Sequence, residues 1–236
     1  MKKVVDFIHI GWYNSFSYDG GGKSMDKVIK FMEKSLSVDT TGHGIDHALR
    51  VRNMAMRIWE EEGGNKKIIE TAAIAHNIID SSLFDNVDVQ RRKLKEFLEK
   101  SNYEEEEIDQ ILDLVDLLNY NNDYINVPLT IEGKILQDAE RIDAMGALGI
   151  ARTFTAGGAK HKKFYKNGNS TPVDEVSLIS YTNGRSDNTT INYFYDHLLK
   201  LKDLMNTETG AKIAAGRHQV MLNFLIEFYQ EWKGIR

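Results

Sequence analysis

The chain has 236 residues, 42% of them hydrophobic, enough to bury one sizeable core. Its formal net charge of -5 argues against a protein that grips extended nucleic acid through a broad basic surface. It contains no cysteine, which removes disulfides, thiolate zinc sites and cysteine nucleophiles and leaves His, Asp, Glu and Asn as possible metal ligands.

In chain order, Met1-Lys2-Lys3 is a weak signal-peptide start, because Asp6 and His9 interrupt the apolar run behind it. Residues 1–25, ending near Gly20-Gly21-Gly22-Lys23, read as an N-terminal extension outside the fold. A first amphipathic helix begins at Asp26 and carries Val28, Ile29, Phe31, Met32 and Leu36 on one side. A second runs from Gly44 to Glu62 and stops at Gly63-Gly64, where glycine suits a helix C-terminus. The third, Lys66 to Leu83, is the most apolar, and two more follow at Asp88 to Lys100 and Tyr103 to Asn119. The Glu104 to Glu107 run suits a helix N-terminus and a solvated face.

Thr130 opens a long helix that reaches Gly157-Gly158, and a polar, glycine-bearing loop at 159–188 suggests a functional lid. Two helices close the chain, Asn188 to Asn206 and Glu208 to Lys233. Their stripes Tyr193, Phe194, Leu198, Leu201, Leu204 and Val220, Phe224, Phe228, Trp232 read as core. Both prolines, Pro128 and Pro172, fall in expected loops. The fold class is all-α, one compact domain over 26–236. No run approaches the roughly 18 apolar residues of a membrane helix, so the expectation is a soluble, cytoplasmic protein without a membrane partner.

The third helix holds the residues that stand out. His76, Asn77 and Asp80 interrupt Ala72-Ala73-Ile74-Ala75 and Ile78-Ile79, and polar groups in such a run need partners. On a continuous helix His76 and Asp80 share a face, with Asn77 turned about 100° from His76. His43 and His47 also lie four apart and can chelate a metal if both are helical; a capping His43 and a buried His47 are the plain alternative. Asp138, mid-helix among apolar residues, must sit beside a cation, be hydrogen-bonded or be protonated, and Arg141 is a structural partner one turn on.

Taken together, His47 in His-Ala-Leu-Arg-Val, His76-Asn77 in Ala-Ile-Ala-His-Asn-Ile-Ile-Asp and Asp138 in Gln-Asp-Ala-Glu-Arg-Ile-Asp resemble the pattern of HD-domain metal-dependent phosphohydrolases. The similarity runs from Asp26 to the C-terminus, and is nearest to small bacterial HD proteins that include nucleoside triphosphate pyrophosphohydrolases. It implies metal ligands at His47, His76, Asn77 and Asp138, and Asp80 as the acidic group near the attacking water. It places His43 on the substrate side or behind the ligands. Arg50, and after it Arg152, Lys160 and Lys163, are the cations nominated to face phosphate. The implied cofactor is one divalent ion, Mn²⁺, Ni²⁺, Fe²⁺ or Co²⁺, which imidazole and carboxylate ligands suit. The implied partner is a small phosphorylated substrate, a nucleotide first among them, with no extended nucleic acid and room for a homo-oligomer.

The departure from the pattern is Asn77, which stands where the family has aspartate and brings an oxygen without the charge. Three accounts stay open: altered metal preference, an inactive relative that still binds nucleotide, or a residue changed in this chain. The functional expectation is a phosphohydrolase that uses metal-activated water. Its alternative is a catalytically impaired protein of the same fold that binds or senses a phosphorylated ligand.

Overall fold

The computed structural model describes residues 23–36, 44–81, 83–119, 129–166 and 189–236. His43, Pro128, Pro172 and residues 167–188 of the expected lid lie outside them, as does most of the expected N-terminal extension. The described chain is all-α: α1 (Lys23–Ser35), α2 (Ile45–Glu62), α3 (Lys66–Ala75), a 3-10 turn (His76–Ile79), α4 (Val87–Lys100), α5 (Glu105–Asn119) and α6 (Ile131–Asp143) come first. They are followed by α7 (Gly146–Ala159), α8 (Thr190–Asp196), a second 3-10 segment (Leu198–Leu204) and α9 (Glu208–Trp232). None of the described helices is long and apolar enough to cross a membrane.

Helix α3 forms the centre because beyond its two N-terminal lysines it is mostly apolar, and its buried Glu70 and Thr71 are satisfied by Arg52 and Tyr103. Every residue from Ile68 to Ala75 is buried, and α1, α2, α5 and α6 pack around it. Its start is set by Asn65, whose side chain accepts the Ile68 N–H, a good N-cap. Helix α2 lays His47, Val51, Ala55 and Ile58 against it at three- and four-residue spacing. It stops as the sequence predicts, with Gly63 and Gly64 at φ 80 and 94. In α6, Ile135, Leu136, Ala139 and Ile142 form the apolar stripe, and the Thr130 hydroxyl caps the helix through Gly133 N–H.

Three expected helices are each divided in two. The α form of the third ends at Ala75 and tightens into the 3-10 turn, after which Asp80 is extended (φ -68, ψ 116). The Asn119 side chain donates to His76 O at 2.5 Å, and Asp80 N–H turns to Asn77 O instead. His76 and Asp80 therefore do not share a face of one α-helix as the spacing predicts. The helix from Thr130 breaks at Ala144-Met145, and Gly146 takes φ 72 where a Cβ would lie 3.1 Å from the Arg217 side chain. The helix then runs through Gly157-Gly158 rather than stopping there. Gly157 is a close-approach glycine, since a Cβ would come within 2.3 Å of Thr190 Oγ1 on α8.

The expected helix from Asn188 bends at His197 (φ -132, ψ -62) into the second 3-10 segment. On α9 the buried face is Gly210, Ala214, His218, Met221, Leu225 and Tyr229. The Val220 to Trp232 stripe is displaced by one residue from that face, so Val220 and Trp232 are exposed. Phe224 and Phe228 lie at its edge, with Phe224 against Phe154 of α7 and Phe194 of α8. The Glu104 to Glu106 carboxylates are solvated, whereas Glu107 pairs with Lys67.

Candidate metal centre

Three helices meet at one point. His47 comes from the first turn of α2, His76 from the switch between α3 and its 3-10 turn, and Glu140 from α6. Among the described residues they form the one group of His, Asp and Glu side chains placed to hold a metal ion, with a ligand atom from each within 4.8 Å of the others. His47 Nε2 and His76 Nε2 are 3.2 Å apart, and Glu140 Oε2 is 3.3 Å from each. Both histidines are buried, and Glu140 is half-buried.

The remaining nitrogens fix the protons. His76 Nδ1 lies 2.8 Å from Ala73 O, a carbonyl that can only accept, so Nδ1 carries the hydrogen. His47 Nδ1 lies 2.8 Å from Asp143 Oδ2. Burial works against the Asp143 carboxylate, but His47, Arg50 and Arg152 outweigh it and hold its pKa well below the usual range. It accepts from His47 too. With Nδ1 engaged in both rings, each imidazole turns its Nε2 inward, toward the Glu140 carboxylate.

The carboxylate and the imidazoles favour positive charge between them, from a proton or a metal ion. Burial disfavours a charged His47, yet Glu140 and Asp143 overcome it and raise its pKa above 6.5. Burial likewise opposes the Glu140 carboxylate, and the two histidines overcome it, holding its pKa well below the ordinary value. Glu140 Oε2 is buried and makes no hydrogen bond. Two oriented imidazoles with one carboxylate are a donor set that fits a divalent transition metal. The Nδ1 partners Asp143 and Ala73 O are the backing such ligands ordinarily have.

Around this point the guanidinium groups crowd onto Asp143. Arg50 donates through Nε to Oδ1 at 2.9 Å and through Nη2 to Oδ2 at 3.1 Å. Arg152 donates to Oδ2 at 2.5 Å, and Arg217 donates to Ile142 O at 2.6 Å. Burial together with Arg57 and Arg50 lowers the Arg217 pKa against the pull of Asp143. One carboxylate thus faces several cations, with Arg50 and Arg152 both partly exposed.

Of the residues singled out in sequence, the structure brings His47 and His76 together and sets Arg50 and Arg152 beside them through Asp143. Asn77 is buried next to His76 in the 3-10 turn. Asp80 ends that turn, partly buried. Asp138 does not join them. It is fully buried, and its carboxylate accepts from Asn206 N (2.8 Å), Asn206 Nδ2 (3.0 Å), Thr207 N (2.9 Å) and Thr207 Oγ1 (2.7 Å). Arg141 donates to Leu204 O at 2.5 Å. The residues that sequence reasoning missed are Glu140 and Asp143, both in the quoted stretch around Asp138.

A family model described as HD domain matches residues 44–145, the span from the start of α2 to the end of α6 that contains the whole triad. The chain is 32% identical over 215 residues to the uncharacterized Bacillus subtilis protein YpgQ, covering 90% of this chain and 96% of that protein. It belongs to the HD-domain family. The crystal structure of an HD-superfamily hydrolase from Bacillus thuringiensis matches with 37% identity and a TM-score of 0.70, over 89% of this chain and 96% of that one. A structure of YpgQ in complex with ADP matches at TM-score 0.72 and 29% identity, over 90% of this chain and all of that one. The chain thus has an HD-superfamily hydrolase fold. HD domains bind divalent metals, and here the His47, His76 and Glu140 cluster is the place that fits one.

Proposed function

We propose that this HD protein is a metal-dependent phosphohydrolase acting on a nucleotide or another small phosphate ester. The observation that carries the reading is the convergence of His47 Nε2, His76 Nε2 and Glu140 Oε2, with both imidazoles oriented from behind. In this reading His47, His76 and Glu140 hold the ion, with Asn77 contributing its carbonyl oxygen. Asp138 serves as the tie between α6 and α9. When bound, a divalent ion lowers the pKa of a water and polarises a phosphoryl oxygen.

The rest falls to the chain's own residues. Arg50 and Arg152 divide their donors between Asp143 and the phosphate oxygens, and their charge offsets that of the substrate. Asp143 keeps His47 in one tautomer. Asp80 is the carboxylate assigned to orient the attacking water or accept its proton. The ADP held by YpgQ supports a nucleotide as the class of substrate.

A second reading, a phosphorylated-ligand binder with impaired turnover, is favoured by one observation, the uncharged Asn77 beside His76. Elemental analysis, with phosphate and pyrophosphate release from a nucleotide panel in Mn²⁺, separates the two. The hydrolase reading expects one metal per chain and turnover that Glu140→Ala abolishes. Metal-free protein that stays silent on the panel, as given and as Asn77→Asp, overturns it.

A further inference from the structure

A cavity of about 270 Å³ opens between α7 and α8, lined in part by Arg152, which also donates to the Asp143 carboxylate behind His47. Its small lining residues are Ala144, Gly149, Ala156 and Gly157, and its polar lining is Thr153, Thr189, Thr190, Tyr193, Lys160 and Lys162 with Arg152. Two glycines lie along its α7 side, Gly149 and Gly157. A side chain at Gly157 would collide with Thr190.

The turn after α7 sets the two lysines. Lys160 N–H bonds Ala156 O at 3.1 Å and Lys162 N–H bonds Gly157 O at 2.9 Å, which reverses the chain through His161 at φ 54. The segment is then pinned to α8, with Thr190 N–H on Lys163 O at 3.0 Å and Ile191 N–H on Phe164 O at 2.9 Å. Neither Lys160 nor Lys162 has a carboxylate partner among the described residues. The lining brings two ammonium groups, the Arg152 guanidinium that is paired with Asp143, and the hydroxyls of three threonines and Tyr193, with no carboxylate among the lining residues themselves.

We propose that this cavity is a second anion seat, built to take a phosphate or pyrophosphate group, with Lys160 and Lys162 as its recognition residues. It is linked to the triad through two side chains, Arg152 on its wall and the Asp143 carboxylate that Arg152 shares with His47. The position deepens the hydrolase reading and rests on it in one respect: the occupant is either a further phosphate of the substrate or a free phosphate anion. Lys160 and Lys162 present donors that suit tetrahedral oxyanions, and Arg152 links occupancy of the seat to the carboxylate behind His47.

The test uses the full chain, stripped of metal by chelation, and titrates inorganic pyrophosphate by calorimetry. The chain binds it, and the Lys160→Gln, Lys162→Gln double variant loses about tenfold or more in affinity, as expected for losing charge-assisted hydrogen bonds. The Lys160→Arg, Lys162→Arg variant retains most of it, and circular dichroism shows that all three chains fold alike. Pyrophosphate affinity that is absent, or equal in the Gln variant, overturns the seat.

A parallel arm identifies the source within a supported result. A KM for a nucleoside diphosphate that rises in the Gln variant assigns the seat to the substrate's own phosphates, and an unchanged KM assigns it to a free anion. Metal content read on the same samples keeps the two proposals apart. Failure to take up Mn²⁺ counts against the hydrolase reading alone, and failure to bind pyrophosphate counts against the seat alone.

Discussion

Replacing Asp138 by alanine distinguishes a metal ligand from a structural tie, because the two roles predict opposite results. The carboxylate is fully buried and accepts four hydrogen bonds, from the backbone and side chain of both Asn206 and Thr207. The Thr207 hydroxyl in turn accepts the Gly210 N–H at 2.9 Å and so caps α9. Gly210 has room for no Cβ, which would sit 2.3 Å from Asp138 Oδ2. Asp138→Ala strands the buried Thr207 N–H and hydroxyl at about 1–3 kcal/mol each and loosens the cap, for a total of about 3–5 kcal/mol. For a chain of this size that corresponds to a fall in Tm of roughly 10 °C. The assay is thermal and urea unfolding of metal-free protein, with Mn²⁺ stoichiometry measured at a temperature where the variant remains folded. The expected outcome is a large loss of stability with metal binding retained, and Glu140→Ala is expected to do the reverse. An Asp138→Ala protein that melts like the parent but has lost its metal would refute the assignment and make Asp138 the ligand.

Asn77→Asp restores a negative charge beside His76 and is expected to tighten Mn²⁺ and raise turnover; unchanged affinity and rate would show that position 77 does not touch the metal. Glu132 gives a pH prediction. Burial raises its pKa, but the Asn65 N–H at 3.0 Å, its own N–H and the Thr130 hydroxyl more than reverse this, so it lies below 4.5. A folded-state value below the unfolded one means that its contribution is present above about pH 4.5 and is lost as the pH falls through the folded value. Glu132→Gln should therefore flatten the decline in urea midpoint between about pH 5 and pH 3, and superimposable profiles would remove Glu132 from the account. Gly157→Ala places a methyl 2.3 Å from Thr190 Oγ1 and is expected to cost about 1–3 kcal/mol. Thr190→Ala should recover most of that loss in the double variant, which a clash elsewhere would not allow.

The helices were legible because apolar spacing and glycine stops are local, and α2 ends at Gly63 as its sequence reads. Where the reading ran helices together, the cause was a tertiary contact with no local mark. The Asn119 side chain that takes His76 O comes from a different helix, and the Arg217 side chain that crowds Gly146 comes from α9. Without these, Lys66 to Leu83 and Thr130 to Gly157 look continuous. The family resemblance found the two histidines, whose surroundings differ sharply from plain core.

The carboxylate was harder, for a geometric reason. At about 100° per residue, Asp138 and Glu140 lie about 200° apart on α6, so only one can face α2 and α3. Glu140 and Asp143 are three apart and share a flank of the helix, on the opposite side of the apolar stripe from Asp138. Sequence alone does not say which flank meets the histidines, and Asp138 is the more deeply embedded among apolar neighbours. Depth in this helix marks the tie to α9, where four donors satisfy a carboxylate completely. A metal ligand must instead keep an oxygen without a hydrogen bond and within reach of substrate, which is the position of the half-buried Glu140. The acid on the exposed margin of the stripe, backed by a second acid one turn away that orients a histidine, is therefore the more informative signal in this segment.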